Sequence, residues 1–168
     1  GIRNPIAVKV GPTIQSEELL DLIRILNPEN EPGRLTLIHR MGRRHIENQL
    51  PGLIETVARS GARVLWVCDP MHGNTVSTTS GRKTRRFDDI VDELRLSFAI
   101  HHAFGSALGG AHLELTGENV TECTGGSRGL TDSDLESAYQ TQVDPRLNYE
   151  QALEIAFEIA GKLTESRA

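Results

Sequence analysis

Cysteine is scarce: the 168 residues include only Cys68 and Cys123, too few for a disulfide framework, so a reducing compartment is expected. Positive charge is in deficit, with 18 Lys and Arg against 23 Asp and Glu and a formal net charge of −5. Binding along a nucleic acid requires clustered cations without offsetting acids, so this balance disfavours such a partner. No apolar run reaches the roughly 18 residues of a membrane-spanning helix. No charged start followed by an apolar stretch marks a signal peptide either, so the expected location is the cytoplasm, bacterial in preference to plastid. A methionine is missing from the first position, where Gly1 stands. The start is therefore expected to be processed, or the residues to be cut from something longer. The length itself suits a single segment with a sizeable core.

Strand and helix patterns alternate along the chain. Ile6-Ala7-Val8-Lys9-Val10 reads as a strand ending at Gly11-Pro12. Ser16 is then the expected cap of a helix carrying Leu19, Leu20, Leu22, Ile23 and Leu26, which Asn27-Pro28 stops. Leu35 to Ile38 form a second strand running toward His39-Arg40. A helical stretch follows, with Pro51 expected in a first turn and Gly61 as its terminator. Val64 to Cys68 make a third strand, and residues 69–86 read as a long polar loop. Phe87, Ile90, Val91, Leu94 and Phe98 lie at helical spacing, and the region from Gly105 to Gly110 breaks that helix. The fourth strand is expected at Ala111-His112-Leu113-Glu114-Leu115, which places His112 and Glu114 on one face. A last helix opens at Asn148 and should pack Ala152, Leu153, Ile155, Ala156, Ile159 and Leu163. The order βαβαβαβα implies parallel strands with right-handed crossovers. Four such units are half of a (β/α)8 barrel, or a small open sheet.

Polar residues recur where the strands should end: Lys9, His39 with Arg40, Asp69 with His72, and Glu114. That is the active face of parallel α/β architectures. Burying such charges is costly unless they are paired or hold a ligand, so their repetition points to a polyanionic substrate, a metal, or both. His72, Glu114 and Asp144 are the metal candidates, with Asp69 and Glu118 as competitors. One imidazole and two carboxylates suit Mn²⁺, with Co²⁺, Zn²⁺ or Fe²⁺ as other fits. The plainer readings are a turn before Pro145 for Asp144 and a loop hydrogen bond for His72. Lys9 and Arg40 can share a phosphate or carboxylate across neighbouring strand ends, a task for which Arg43 and Arg44, on a helix facing solvent, are worse placed. Lys83 and Arg85 are set on the loop, either to close on a second anion or as a solvated charge run. Cys68, ending a buried strand, reads as a core residue rather than a nucleophile. Gly125-Gly126-Ser127 reads as a turn rather than an oxyanion site.

Two motifs carry a resemblance: Asp69-Pro70-Met71-His72-Gly73-Asn74-Thr75, and Glu114-Leu115-Thr116-Gly117-Glu118-Asn119-Val120-Thr121-Glu122-Cys123. Together with Val8-Lys9-Val10-Gly11-Pro12-Thr13, His39-Arg40-Met41-Gly42, Lys83-Thr84-Arg85 and Asp144-Pro145-Arg146-Leu147-Asn148, they resemble the type II 3-deoxy-D-arabino-heptulosonate 7-phosphate (DAHP) synthases across nearly the whole chain. The resemblance implies a (β/α)8 barrel that condenses phosphoenolpyruvate with erythrose 4-phosphate and releases phosphate, the first step of the shikimate pathway toward aromatic amino acids. It implies His72, Glu114 and Asp144 as ligands of a divalent metal, commonly Mn²⁺. Lys9 and Arg40 become phosphoenolpyruvate ligands, and Lys9, Arg40 and His72 the catalytic set. Lys83 and Arg85 are assigned, as a hypothesis, to the second phosphate.

The pattern is incomplete. A full member carries a Cys metal ligand and further phosphoenolpyruvate-binding Arg and Glu residues upstream of anything in this chain, and neither Cys68 nor Cys123 matches that ligand. Residues 1–168 are thus expected to supply barrel strands five to eight, the C-terminal half, with the N-terminal half absent. Alone the segment should be inactive, and it should associate with its missing half and with further copies through exposed edges. Two other readings stand beside this one: a family member in specialised aromatic metabolism, of phenazine or aminoshikimate type, and a non-catalytic interaction or regulatory half-barrel.

Overall fold

The computed structural model describes residues 2–165. In chain order its elements are β1 (Ile6–Val10), α1 (Ser16–Leu26), β2 (Leu35–His39), α2 (Ile46–Ser60), β3 (Leu65–Cys68), β4 (Thr75–Ser77), β5 (Lys83–Arg85), α3 (Phe87–Ala103), β6 (Leu108–Ala111) and α4 (Tyr149–Glu165). Short 3₁₀ segments at His72–Asn74 and Asp132–Glu136 interrupt the loops.

β1, β2, β3 and β6 form one sheet in that order, every neighbouring pair parallel. Sequential order is what barrels use, whereas an open doubly wound sheet reverses direction at a switch point. All the helices form one layer. Val10, Leu35, Leu37 and Trp66 point to the side where Leu19 and Ile23 of α1 and Leu50, Leu53, Ile54 and Val57 of α2 close over them. Cys68 meets Phe87, Ile90, Val91 and Leu94 of α3 and Ile155 of α4 on the same side. On the opposite face Ala7, Leu65 and Gly109 remain exposed. This is an α/β fold with a parallel sheet and alternating strands and helices, consistent with part of a (β/α)8 barrel.

Several boundaries differ from expectation for local reasons. Ser16 is the first residue of α1 rather than its cap; Gln15 precedes it, and the Gln15 N–H donates to the Glu18 carboxylate at 3.0 Å. Pro51 lies inside α2, in its second turn, because the helix already starts at Ile46; Gly61 ends it with φ +69°. The polar stretch after β3 contains an antiparallel hairpin, Thr75 opposite Arg85 and Ser77 opposite Lys83. The fourth parallel strand is displaced toward the N-terminus, with Leu108 opposite Trp66 and Ala111 opposite Cys68. Its glycines fit because a Cβ on Gly109 would come within 2.3 Å of Leu65 Cδ1. His112 and Glu114 therefore follow the strand, and Leu115 makes only an isolated parallel bridge to Leu147. In α4 Ile155 is buried, but Leu153, Ala156 and Leu163 are exposed instead of packed.

Candidate metal centre

Beyond the C-terminal end of β3 the chain turns around Asp69, which is completely buried. One carboxylate oxygen accepts the N–H groups of Met71 and His72, at 3.0 and 3.1 Å. The other accepts from Lys9 Nζ, arriving from β1, and lies 2.7 Å from His72 Nδ1. Burial alone pushes the Asp69 carboxyl upward. The hydrogen bonds from Lys9 and the His72 amide, with the charges of both residues, outweigh that and hold it below the usual carboxylate range. A carboxylate gripping Nδ1 fixes the ring and leaves Nε2 as the free donor, the arrangement typical of a metal-binding histidine.

Nε2 faces two carboxylates, at 3.3 Å from Glu114 Oε1 and 3.9 Å from Asp144 Oδ2. One donor atom from each of the three residues lies within 4.8 Å of the others, and each side chain is a little over a quarter exposed. Donors about 2.1 Å from one ion lie roughly 3–3.5 Å apart, so a small inward adjustment would let the trio share a divalent cation. The oxygens turned away from the centre are also held. Glu114 Oε2 accepts from Arg85 Nη1 at 2.5 Å, and Asp144 Oδ1 lies 3.3 Å from Lys83 Nζ. Glu118, exposed, and Asp69, turned to Nδ1, do not join the trio.

The hairpin supplies both cations, in unequal settings. Arg85 is fully enclosed, donating also to the Pro145 carbonyl at 2.5 Å and to Thr75 Oγ1 at 2.9 Å, while Nη2 has no partner among the described residues. Lys83 is more than half exposed. Asp144 is set by a residue that sequence reasoning passed over. Buried Glu122 binds the Arg146 side chain at 2.6 and 2.9 Å and accepts the backbone N–H groups of Gln140, Thr141 and Arg146. Burial raises the Glu122 carboxyl, but Arg146 more than reverses this. The signal was its place in the motif that begins at Glu114.

Lys9 keeps about a third of its side chain exposed beyond its bond to Asp69. Arg40 is exposed, its N–H bonded to the Val10 carbonyl at 2.8 Å and its guanidinium 3.9 Å from where a Gly11 Cβ would stand. Among the described residues no carboxylate pairs with it. Arg43, by contrast, is committed to Glu47 and Asp92. His39 turns to the helix side and is buried against Trp66 and His101. A second group, His39, Cys68 and Glu93, also brings its donor atoms within 4.8 Å, but all three are fully buried. Burial, then the Glu93 charge, pushes the Cys68 thiol well up, so it is a core residue rather than a nucleophile. The Ser127 N–H and hydroxyl are taken by Glu154, which leaves the Gly125-Gly126 turn without an oxyanion role.

Residues 1–160 match the family model described as the Class-II DAHP synthetase family. Three curated relatives cover nearly all of this chain. The phospho-2-dehydro-3-deoxyheptonate aldolase AroG of Mycolicibacterium smegmatis is 52% identical over 98% of it. The phospho-2-dehydro-3-deoxyheptonate aldolase of Streptomyces coelicolor is 53% identical over 95%, and the protein of that name from Neurospora crassa 50% identical over 99%. In each case the match covers 35% of the relative, so the chain spans about a third of their length. The chain belongs to the class-II DAHP synthetase family.

Proposed function

We propose that this chain supplies the metal and anion face of a DAHP synthase, which joins phosphoenolpyruvate to erythrose 4-phosphate and releases phosphate as the first step of the shikimate pathway. The observation that carries the reading is the convergence of His72, Glu114 and Asp144, drawn from three separate loops, beside a lysine tied to the same aspartate as His72. His72, Glu114 and Asp144 would hold the ion, Mn²⁺ being the best fit to one imidazole and two carboxylates. A divalent ion there supplies Lewis acidity toward the aldehyde oxygen of the sugar phosphate.

The protein's own groups account for the rest. Arg40, with no carboxylate partner among the described residues, offers a planar fork to the phosphate or carboxylate of the enol ester, and Lys9 adds a point charge that Asp69 keeps aimed. Holding the ester at both ends presents C3 to the aldehyde carbon. As that bond forms, positive charge develops at C2, where water adds. Collapse of the resulting phosphohemiketal breaks the C–O bond and phosphate leaves with the electron pair. Lys9 and Arg40 must therefore bind the anion through a change in its charge. Lys83, more exposed than Arg85, is the better placed of the pair to reach a second phosphate.

In this reading the segment contributes strands five to eight, and the remaining strands come from residues outside this chain. The one-sided helix layer and the 35% coverage of the relatives support it. The experiment is a Mn²⁺ titration of the chain and of His72→Ala, followed by an assay with both substrates, with and without the N-terminal half. His72→Ala should weaken Mn²⁺ binding at least about 100-fold, since it removes the only nitrogen donor of the trio. Turnover should require the other half. Unchanged Mn²⁺ binding in His72→Ala would sink the centre, and sustained turnover by the chain alone would sink the half-barrel.

A further inference from the structure

The residues that follow Arg40 and His72 in their motifs, Met41-Gly42 and Gly73-Asn74, have no part in the centre above, yet the two loops meet there through bare backbone. A Cβ on Gly42 would fall 2.6 Å from the Gly73 carbonyl oxygen, and one on Gly73 would fall 2.4 Å from the Gly42 nitrogen. Gly42 also holds φ at +80°, which L side chains avoid. A carboxylate from α3 then ties the loops together. Glu93 Oε1 accepts the N–H groups of Met41 and Gly42, both at 3.0 Å, and Glu93 Oε2 accepts from Asn74 Nδ2 at 2.7 Å. Asn74 completes the tie: its Oδ1 accepts the Arg43 N–H at 2.8 Å, and its Nδ2 reaches the Pro70 carbonyl at 2.8 Å.

Glu93 is completely buried and Asn74 nearly so. An apolar side chain would cost far less at this position, between Ile90 and Leu94 on the inner face of α3. Burial, against the pull of those three N–H donors, pushes the Glu93 carboxyl up to about 7. Only a carboxylate offers acceptors to two backbone groups and an amide at once, and the groups it joins belong to the loops bearing Arg40 and His72.

We propose that Glu93 and Asn74 form a buried clamp that sets the position of Arg40 relative to His72, and are thus positioning residues for anion and metal together. The clamp rests on the reading of the centre given above. Neither residue touches substrate or ion. Met41 follows Arg40 directly, and the Asn74 N–H closes the His72 turn onto the Met71 carbonyl at 3.1 Å. Ordering one loop should therefore order the other, in either direction.

The test uses the native protein that carries this chain. Glu93→Gln keeps shape and two acceptor contacts but sets an N–H against the Asn74 amide, and Asn74→Ala cuts the tie from the other end. Each single variant, and the double variant equally, should weaken Mn²⁺ binding about 10-fold and raise KM for phosphoenolpyruvate more than it lowers kcat. The unfolding midpoint of Glu93→Gln should shift by only a few degrees. In the unsubstituted protein, Mn²⁺ should slow hydrogen exchange at the Met41 and Gly42 amides. Wild-type Mn²⁺ affinity and KM in Glu93→Gln, or multiplying losses in the double variant, overturn the clamp. If Glu93→Gln does not fold, exchange decides: Met41 and Gly42 amides indifferent to Mn²⁺ overturn it. Loss of Mn²⁺ binding in His72→Ala with retention in Glu93→Gln removes the clamp alone. Failure of the unsubstituted protein to bind Mn²⁺ removes the centre and the clamp with it.

Discussion

His39 is completely buried, and neither of its ring nitrogens has a hydrogen-bond partner among the described residues. Its ring stands 5.6 Å from that of His101 and 6.3 Å from that of Trp66. Burial first, then the charge of His101, lower its pKa from 6.5 to about 3, against a smaller opposing pull from Asp69. A base whose folded value lies below its unfolded one contributes stability that is complete above the unfolded pKa and lost as pH falls toward the folded one. The window is therefore 6.5 down to about 3, worth on the order of 5 kcal/mol. The other titratable neighbours are His101, Cys68, Asp69 and Glu93. Glu93 acts oppositely, since its pKa rises from 4.5 to about 7 and the stability it contributes is lost as pH rises through that range. A single denaturation curve mixes these contributions, whereas the difference between wild type and His39→Phe isolates the imidazole. That difference should be constant above pH 6.5 and shift against the wild type as the solution is acidified. Urea unfolding of both proteins from neutral pH to about pH 4 measures it, and a flat difference would show that His39 is not held neutral by burial.

The β4–β5 hairpin is short, yet it decides how the centre is braced. Lys83 and Arg85 share one face of β5, but Lys83 stands at the exposed end against Asp144 whereas Arg85 is enclosed behind Glu114. Losing an enclosed guanidinium strands the Pro145 carbonyl and the Glu114 carboxylate, so Arg85→Met should cost about 3 kcal/mol in urea unfolding. Arg85→Lys should recover little, since a single ammonium nitrogen cannot reach Glu114 and Pro145 as Nη1 does and also replace the Nε bond to Thr75. Lys83→Ala should cost under about 1 kcal/mol. Equal losses for Arg85→Met and Lys83→Ala would mean that Arg85 braces nothing. The hairpin also marks where sequence reading stops. The first three parallel strands and α1 and α3 were legible because apolar residues recur at the right period and Gly61 or Asn27-Pro28 punctuate them. Three-residue strands such as Thr75-Val76-Ser77 are too short to show a period. The fourth parallel strand was displaced in the reading because Gly109 and Gly110 look like breakers until Leu65 is seen to occupy the space beside Gly109. Side chains were legible in proportion to their place in motifs. His72, Glu114 and Asp144 were marked as donors, but their convergence depends on Asp69, Arg85 and Glu122, whose roles exist only once distant loops meet. Glu93 was hidden because the helical spacing of α3 advertises its apolar positions and says nothing of the line Glu93, Ser97 and His101, all buried between them.

The sheet ends in two edges, β1 and β6, and only one of its faces is covered by helices. In α4, Ile155 packs inward, whereas Leu153 is 57% exposed and Phe157 75% exposed. A helix that turns large apolar side chains to solvent beside an open sheet edge is a surface awaiting a neighbour. If the segment supplies strands five to eight, as proposed above, α4 follows the last strand of a closed (β/α)8 ring and lies next to its first helical unit, in the part of the family's length that this chain does not span. Covering Leu153 and Phe157 would contribute roughly 3 kcal/mol or more, about 100-fold in an association constant. Leu153→Glu with Phe157→Glu should therefore leave the unfolding midpoint of the isolated chain nearly unchanged, because neither side chain is packed. The same pair should reduce its self-association in sedimentation velocity and weaken its binding to the N-terminal half about 100-fold. A neutral result on both association measurements would mean that this face of α4 is an ordinary solvent surface and that the ring closes elsewhere. Loss of stability without loss of binding would mean that the two side chains are already packed within the segment.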